Sequence, residues 1–155
     1  MDEVGVRDRL TFGIPRLDSQ HEQLLQLVRQ MREADAGGKS LCELRLLAAT
    51  LTLHTRMHFM DEEMFMEGAG YPGLEAHRRR HAEFTEGLLR LQSGLLSTSR
   101  SQFARIVEYE LGWIHQHLED EDNELGRWLE ENKIFAESLD WEAPPGPGSI
   151  PISSP

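Results

Sequence analysis

Apolar positions recur at spacings of three and four along most of the chain, the period of a helix with one buried face. From about Asp18, a candidate N-cap, the positions His21, Leu24, Leu25, Val28 and Met31 form a first inward stripe. A second, between about Ser40 and Met66, reads Leu44, Leu47, Leu51, His54, His58, Glu62 and Phe65. A third reads Leu74, His77, His81, Phe84, Leu88 and Leu91. The fourth, from about Ser101 to Glu131, places Phe103, Val107, Leu111, Ile114, His117, Leu118, Asp122, Leu125 and Leu129 on one broad face. Breaks fall at Gly37-Gly38, at Gly68-Ala-Gly-Tyr-Pro-Gly73, and at Ser93-Gly94 with Ser97-Thr-Ser99. No segment alternates in the manner of a half-buried strand. The pattern predicts an all-α fold, an antiparallel up-down four-helix bundle over residues 18–133. An N-terminal arm (1–17) precedes it, and a flexible Pro-rich C-terminal tail (134–155) follows, holding five of the seven prolines.

Length and charge narrow the field. A chain of 155 residues suits one domain with one core. The formal charge of -11 argues against a nucleic-acid partner and against an anionic membrane surface. Cys42 is the only cysteine, so no internal disulfide forms. The sequence shows neither a signal segment nor an apolar run of about 18 residues, and a reduced, cytoplasmic setting is expected.

What changes the picture is the chemistry on the stripes. An unpaired buried imidazole or carboxylate costs several kcal/mol, so a cluster of them needs a compensating partner, and a metal supplies one. The second stripe carries His58-x-x-x-Glu62 and the third His77-x-x-x-His81; residues four apart lie about one turn apart on one helical face. The first adds His21, and the fourth adds His117 with carboxylates at 119–122. Each pair alone is commonplace on solvated helices, but four stripes that share the feature favour a buried di-metal site. The plainer alternative is a set of core histidines satisfied by neighbouring carboxylates. Spacing alone prefers Glu121 as the carboxylate of the fourth stripe, since Asp122 sits about 140° round an ideal helix from His117.

The strings Leu17-Asp-Ser-Gln-His21, His58-Phe-Met-Asp-Glu62-Glu-x-Phe-Met66, Tyr71-Pro72, His77-x-x-x-His81 and Trp113-Ile-x-x-His117-x-x-x-x-Asp122 resemble the bacterial hemerythrins over roughly residues 10–131. That resemblance implies two iron ions: His77, His81 and His117 on one, His21 and His58 on the other. Glu62 and Asp122 would bridge them together with an oxo or hydroxo group. It assigns Asp122 over Glu121, which a local π-type bulge would accommodate. Reversible binding of dioxygen at the iron with two histidines is the implied activity. The pocket wall would be Leu24, Phe59, Trp113, Ile114 and Leu118, each within about one turn of a ligand, with Ile114 foremost. Of the remaining histidines, His115 is expected in solvent and His54 beside the site or in the core.

Three functions follow as expectations. The leading one is a dioxygen-binding protein for storage, delivery or sensing, with no enzymatic role and no identifiable protein partner. A di-iron enzyme (a peroxidase, a nitric oxide reductase or a ferroxidase-like oxidase) is the alternative from another class. Such enzymes usually carry carboxylate-rich sites, and this set is histidine-rich. The third is a helical module that sequesters metal or binds zinc.

Overall fold

The structure, a computed structural model, describes residues 13–92 and 99–135. The arm before residue 13, the expected third break at 93–98 and the tail from residue 136 lie outside the described residues. Four rods make up the rest: α1 (Pro15–Ala36), α2 (Leu41–Ala69), α3 (Leu74–Gln92), and a fourth built from α4 (Arg100–Gln116), a π-helical turn (His117–Glu121) and α5 (Asp122–Asn132). No strand occurs among the described residues.

Helix α1 starts a turn earlier than the expected Asp18, and Leu17, assigned to the arm by sequence, is a buried residue of the helix. Pro15 explains the shift: its fixed φ suits the first turn, where its missing N–H removes no helical hydrogen bond. Asp18 is therefore not the cap; its N–H donates to the Ile14 carbonyl at 3.0 Å. Helix α2 opens with a capping box, Ser40 Oγ accepting the Glu43 N–H at 3.3 Å and Glu43 Oε2 accepting the Ser40 N–H at 2.9 Å. It stops at Gly70, whose φ of 70° is the left-handed conformation that glycine adopts without strain. Helix α4 is capped by Ser99, whose N–H donates to Gln102 Oε1 at 3.1 Å.

The short links at 37–40 and 70–73 force neighbouring rods to run antiparallel. Pairs between rods show the same sense throughout. Gln20–Asp61 with His21–His58 joins α1 to α2, and Arg78–Glu67 with His81–Glu63 joins α2 to α3. Phe84–Tyr109 with His77–Glu121 joins α3 to the fourth rod, and Arg32–Glu108 with His21–Asp122 closes the ring back to α1. The bundle is thus up-down-up-down.

Two apolar clusters fill its ends. Leu24, Val28, Met31, Leu44, Leu51, Phe103, Val107 and Ile114 form one, and Ile14, Leu17, Phe65, Met66, Leu125 and Leu129 the other. Each fully buried Leu, Phe or Met contributes about 1.5–3 kcal/mol. Between them, on every rod, the stripe turns polar. Leu25, Leu47 and Leu111, expected on the inward stripes, are only half-buried, while Ala48 and Glu110 beside two of them are fully enclosed. Helices crossing at an angle turn the inward line by about one residue. Among the described residues, no helix is long and apolar enough to cross a membrane.

Candidate metal centre

The polar level of the bundle holds His21 from α1, His58 and Glu62 from α2, His77 and His81 from α3, and His117 and Asp122 from the fourth rod, each at most 2 % exposed. All seven residues singled out from sequence meet there. Each of the five histidines points its Nε2 at the common centre. Glu62 Oε2 lies 3.0, 3.3, 3.4 and 3.7 Å from Nε2 of His77, His81, His117 and His58. Asp122 divides its oxygens, Oδ1 lying 3.1 Å from His117 Nε2 and Oδ2 3.3 Å from His21 Nε2. His21 and His58 approach Nε2 to Nε2 at 3.1 Å. In each of two overlapping sets, Glu62, His77, His81, His117 and His58, Glu62, His117, Asp122, the ligand atoms lie within 4.8 Å of one another.

Asp122 reaches this level because the fourth rod widens to a π-helical turn at His117–Glu121. The extra residue brings Asp122 inward and leaves Glu121 behind the imidazole, where Glu121 Oε2 lies 2.9 Å from His117 Nδ1. Two other outward nitrogens are held likewise: His81 Nδ1 lies 2.8 Å from Glu63 Oε1, and His58 Nδ1 lies 3.3 Å from Gln20 Oε1. Behind these stand guanidinium groups. Arg80 Nε is 2.6 Å from Glu121, Arg78 Nε is 3.4 Å from Glu63, and Asp61 joins Gln20 to Arg16. Partners of this kind fix which ring nitrogen faces inward. Sequence reasoning passed over Gln20, Glu63, Asp61 and the orienting place of Glu121; of these only Glu121, four residues after the His117 it contacts, carried a spacing signal.

Burial and mutual charge shift the groups of the cluster in opposite directions. Burial pushes Glu62 up, but hydrogen bonds with His117, His77 and His81 outweigh it and hold the carboxyl well below its ordinary range. Burial and the Glu62 charge together push Asp122 well above its own. Burial and the neighbouring His21 push His58 well down. His117 moves the other way: burial opposes its charge, yet Asp122, Glu121 and Glu62 raise it to about 10. Glu62 Oε1 and both Asp122 oxygens lack a hydrogen bond of acceptable geometry. Acceptor lone pairs and imidazole nitrogens thus face the same enclosed space, a costly arrangement that cations resolve. The donor set, imidazole and carboxylate, suits a transition-metal centre.

The five residues expected to wall the site fall into two groups. Phe59 stacks on His81, ring centres 3.7 Å apart and 5° from parallel, and half-buried Trp113 stacks on His117 at 4.2 Å and 17°. Leu24, Ile114 and Leu118 lie together in the apolar cluster at one end of the site. His54 is half-buried and outside the seven, and His115, expected in solvent, is half-buried too.

Comparison with known proteins gives a concordant answer. The family model described as "Hemerythrin HHE cation binding domain" matches residues 13–129. The chain is 27% identical over 120 residues to a bacteriohemerythrin of Campylobacter jejuni subsp. jejuni serotype O:23/36 (strain 81-176), covering 74% of this chain and 86% of that one. It is 28% identical over 122 residues to a bacteriohemerythrin of Stenotrophomonas maltophilia (strain R551-3), covering 75% and 74%. A bacteriohemerythrin of Pseudomonas aeruginosa (strain LESB58) is 32% identical over 92 residues, 57% of this chain and 60% of the relative. With the match over most of its length and a buried histidine–carboxylate cluster from four antiparallel rods, the chain belongs to the hemerythrin family.

Proposed function

We propose that this protein binds dioxygen reversibly at a pair of iron ions, for storage, delivery or sensing. His77, His81 and His117 would hold one ion, and His21 and His58 the other. Glu62 and Asp122 would span both. The observation that carries this assignment is Asp122, whose two oxygens face histidines of the two different sets, His117 and His21. Glu62, within 3.7 Å of four imidazoles, is placed to do the same.

When bound, the ferrous pair supplies the electrons that dioxygen takes up and returns on release. The chain's own residues make that exchange reversible. Imidazole-rich ligation suits ferrous iron, and the carboxylates hold two cations close despite their repulsion. Three histidines on one side against two on the other leave the His21–His58 side with fewer protein ligands. Leu24, Ile114 and Leu118, which share one apolar cluster beside the ligand positions, would wall the dioxygen pocket with hydrocarbon and keep out water that would carry charged products away. Glu63, Glu121 and Gln20 hold the rings in one tautomer while charge at the centre changes.

Exposure of the anaerobic, iron-loaded ferrous protein to air tests the reading. A coloured adduct that bleaches under vacuum, with about two irons per chain by elemental analysis, is the expected result. Rapid decay to the diferric form with substrate turnover would replace the carrier by an enzyme, and one metal or none per chain would remove the di-iron site.

A further inference from the structure

Aromatic rings gather on one side of the site and lead away from it. Trp113, stacked on His117, also stacks on Phe84 at 4.1 Å and 26°. Phe84 in turn lies on Tyr109 at 5.3 Å and 4°. Phe59, stacked on His81, meets Trp113 edge-on at 5.0 Å, so two site imidazoles converge on one indole. Ring contact is continuous from His117 to Tyr109. Tyr109 in turn lines a surface cavity of about 330 Å³ with Leu91, Ala104, Arg105 and Glu108.

Helix α3 is adapted to this path. It carries Gly87 in its interior, a residue that weakens a helix relative to alanine. A Cβ at 87 would overlap the Tyr109 hydroxyl and lie 2.8 Å from its Cζ. The phenol therefore occupies the place of a side chain, and its hydroxyl donates to the Phe84 carbonyl at 3.5 Å. Stacked rings stabilise any core. Tryptophan and tyrosine are, however, also the side chains that most readily give up a single electron from an aromatic ring, and one of each stands in line between the site histidines and the surface.

We propose that Trp113 and Tyr109 form a one-electron relay that draws oxidising equivalents away from the metal centre and its histidines. The relay rests on the di-iron reading above. With one ferrous ion in the pair, hydrogen peroxide takes one electron from that ion and the second from Tyr109 by way of Trp113. The phenolic proton and one solvent proton complete two waters, leaving a diferric pair and a neutral radical on Tyr109. A small thiol at the surface cavity then gives up one hydrogen atom, restoring the phenol and becoming a thiyl radical.

The test uses the full-length, iron-loaded protein brought to the half-reduced state, mixed with hydrogen peroxide and frozen for electron paramagnetic resonance, with iron content measured on the same samples. A tyrosyl radical is expected in the parent protein. Tyrosine occurs twice in the chain, so the assignment is direct: the signal disappears in Tyr109→Phe and persists in Tyr71→Phe. It also disappears in Trp113→Phe, where Tyr109 remains but the relay is cut, and peptide mapping finds more oxidised His81 and His117 in Tyr109→Phe. A radical that survives Tyr109→Phe, or none in parent protein that holds its iron pair, overturns the relay and leaves the di-iron reading standing. Failure of the parent protein to hold an iron pair overturns both.

Discussion

Glu110 projects from α4 into the apolar interior, 0 % exposed, and neither of its carboxyl oxygens has a hydrogen-bond partner. It lies two helical turns from His117, the ligand position nearest along its rod. Burial alone pushes its pKa up from 4.5 to about 8, with no charge nearby to offset it. Below pH 4.5 the acid is neutral whether the chain is folded or not, and its ionisation takes nothing from stability. Between pH 4.5 and 8 the unfolded chain releases a proton that the folded chain retains. Each pH unit in that window makes unfolding easier by about 1.4 kcal/mol, and above pH 8 the loss stops growing. The stability is present at low pH and lost as pH rises, by about 5 kcal/mol over the whole window and about 2 kcal/mol between pH 6 and 8, where the folded group is itself beginning to ionise. Glu110→Leu removes the group that ionises. Guanidinium melts of metal-loaded parent and variant at pH 6, 7 and 8 give the difference, in which the contribution of the metal ligands cancels. The advantage of the leucine variant is expected to widen by about 2 kcal/mol from pH 6 to pH 8. A difference that stays constant with pH would refute the claim that this carboxyl is buried neutral and alone.

Glu121→Gln weakens the hold on His117 Nδ1 while leaving all seven inward groups in place, so metal affinity should fall about 10- to 100-fold in competition with a chelator. Leu51→Ala opens a cavity at a fully buried position between the rods and should lower unfolding free energy by about 2–5 kcal/mol in denaturant melts. Ser40→Ala breaks the capping box of α2 and should cost about 1 kcal/mol by the same measurement. Stripping the metal leaves the histidine–carboxylate cluster buried without a counter-charge; the melting temperature should fall and be restored on reloading.

The four rods were legible because leucines three and four apart mark a buried face whatever surrounds them, and because Ser40, Gly70 and Pro72 punctuate the chain by local chemistry. Leu17 and Pro15 were assigned to the arm because no apolar repeat precedes them; the rigid φ of proline, a single-residue property, started the helix sooner. Leu111 and Glu110 were misordered for a different reason. Hydropathy places leucine inside and glutamate outside, but the crossing of the rods determines which of two adjacent positions points to the core, and that geometry is not local. Six of the site residues could be named because each interrupts an apolar stripe, while Asp122 was named over Glu121 only through the family resemblance. Gln20 and Glu63 could not be named, since polar residues at half-buried positions look the same in sequence whether they hold an imidazole or face water, and nothing local marks Asp61 as buried behind Gln20.

Residues 117–122 show how far spacing alone can mislead. On an ideal α-helix, Glu121 rather than Asp122 would share the inward face with His117. The chain instead inserts a π-helical turn at that point, and the two carboxylates exchange places. Asp122 comes to rest fully buried between His21 and His117, and Glu121, 12 % exposed, sits between His117 and Arg80. Their acidities separate accordingly. Burial and the Glu62 charge push Asp122 up, the behaviour of a group in need of a cation. For Glu121, burial is outweighed by His117 and Arg80, which hold its carboxyl below the ordinary value. A regular helix would leave one carboxylate at the centre and nothing behind the ring. The irregular turn supplies both an inward acceptor and an outward anchor from one short acidic run, which accounts for a departure from helical geometry where the rod carries its chemistry.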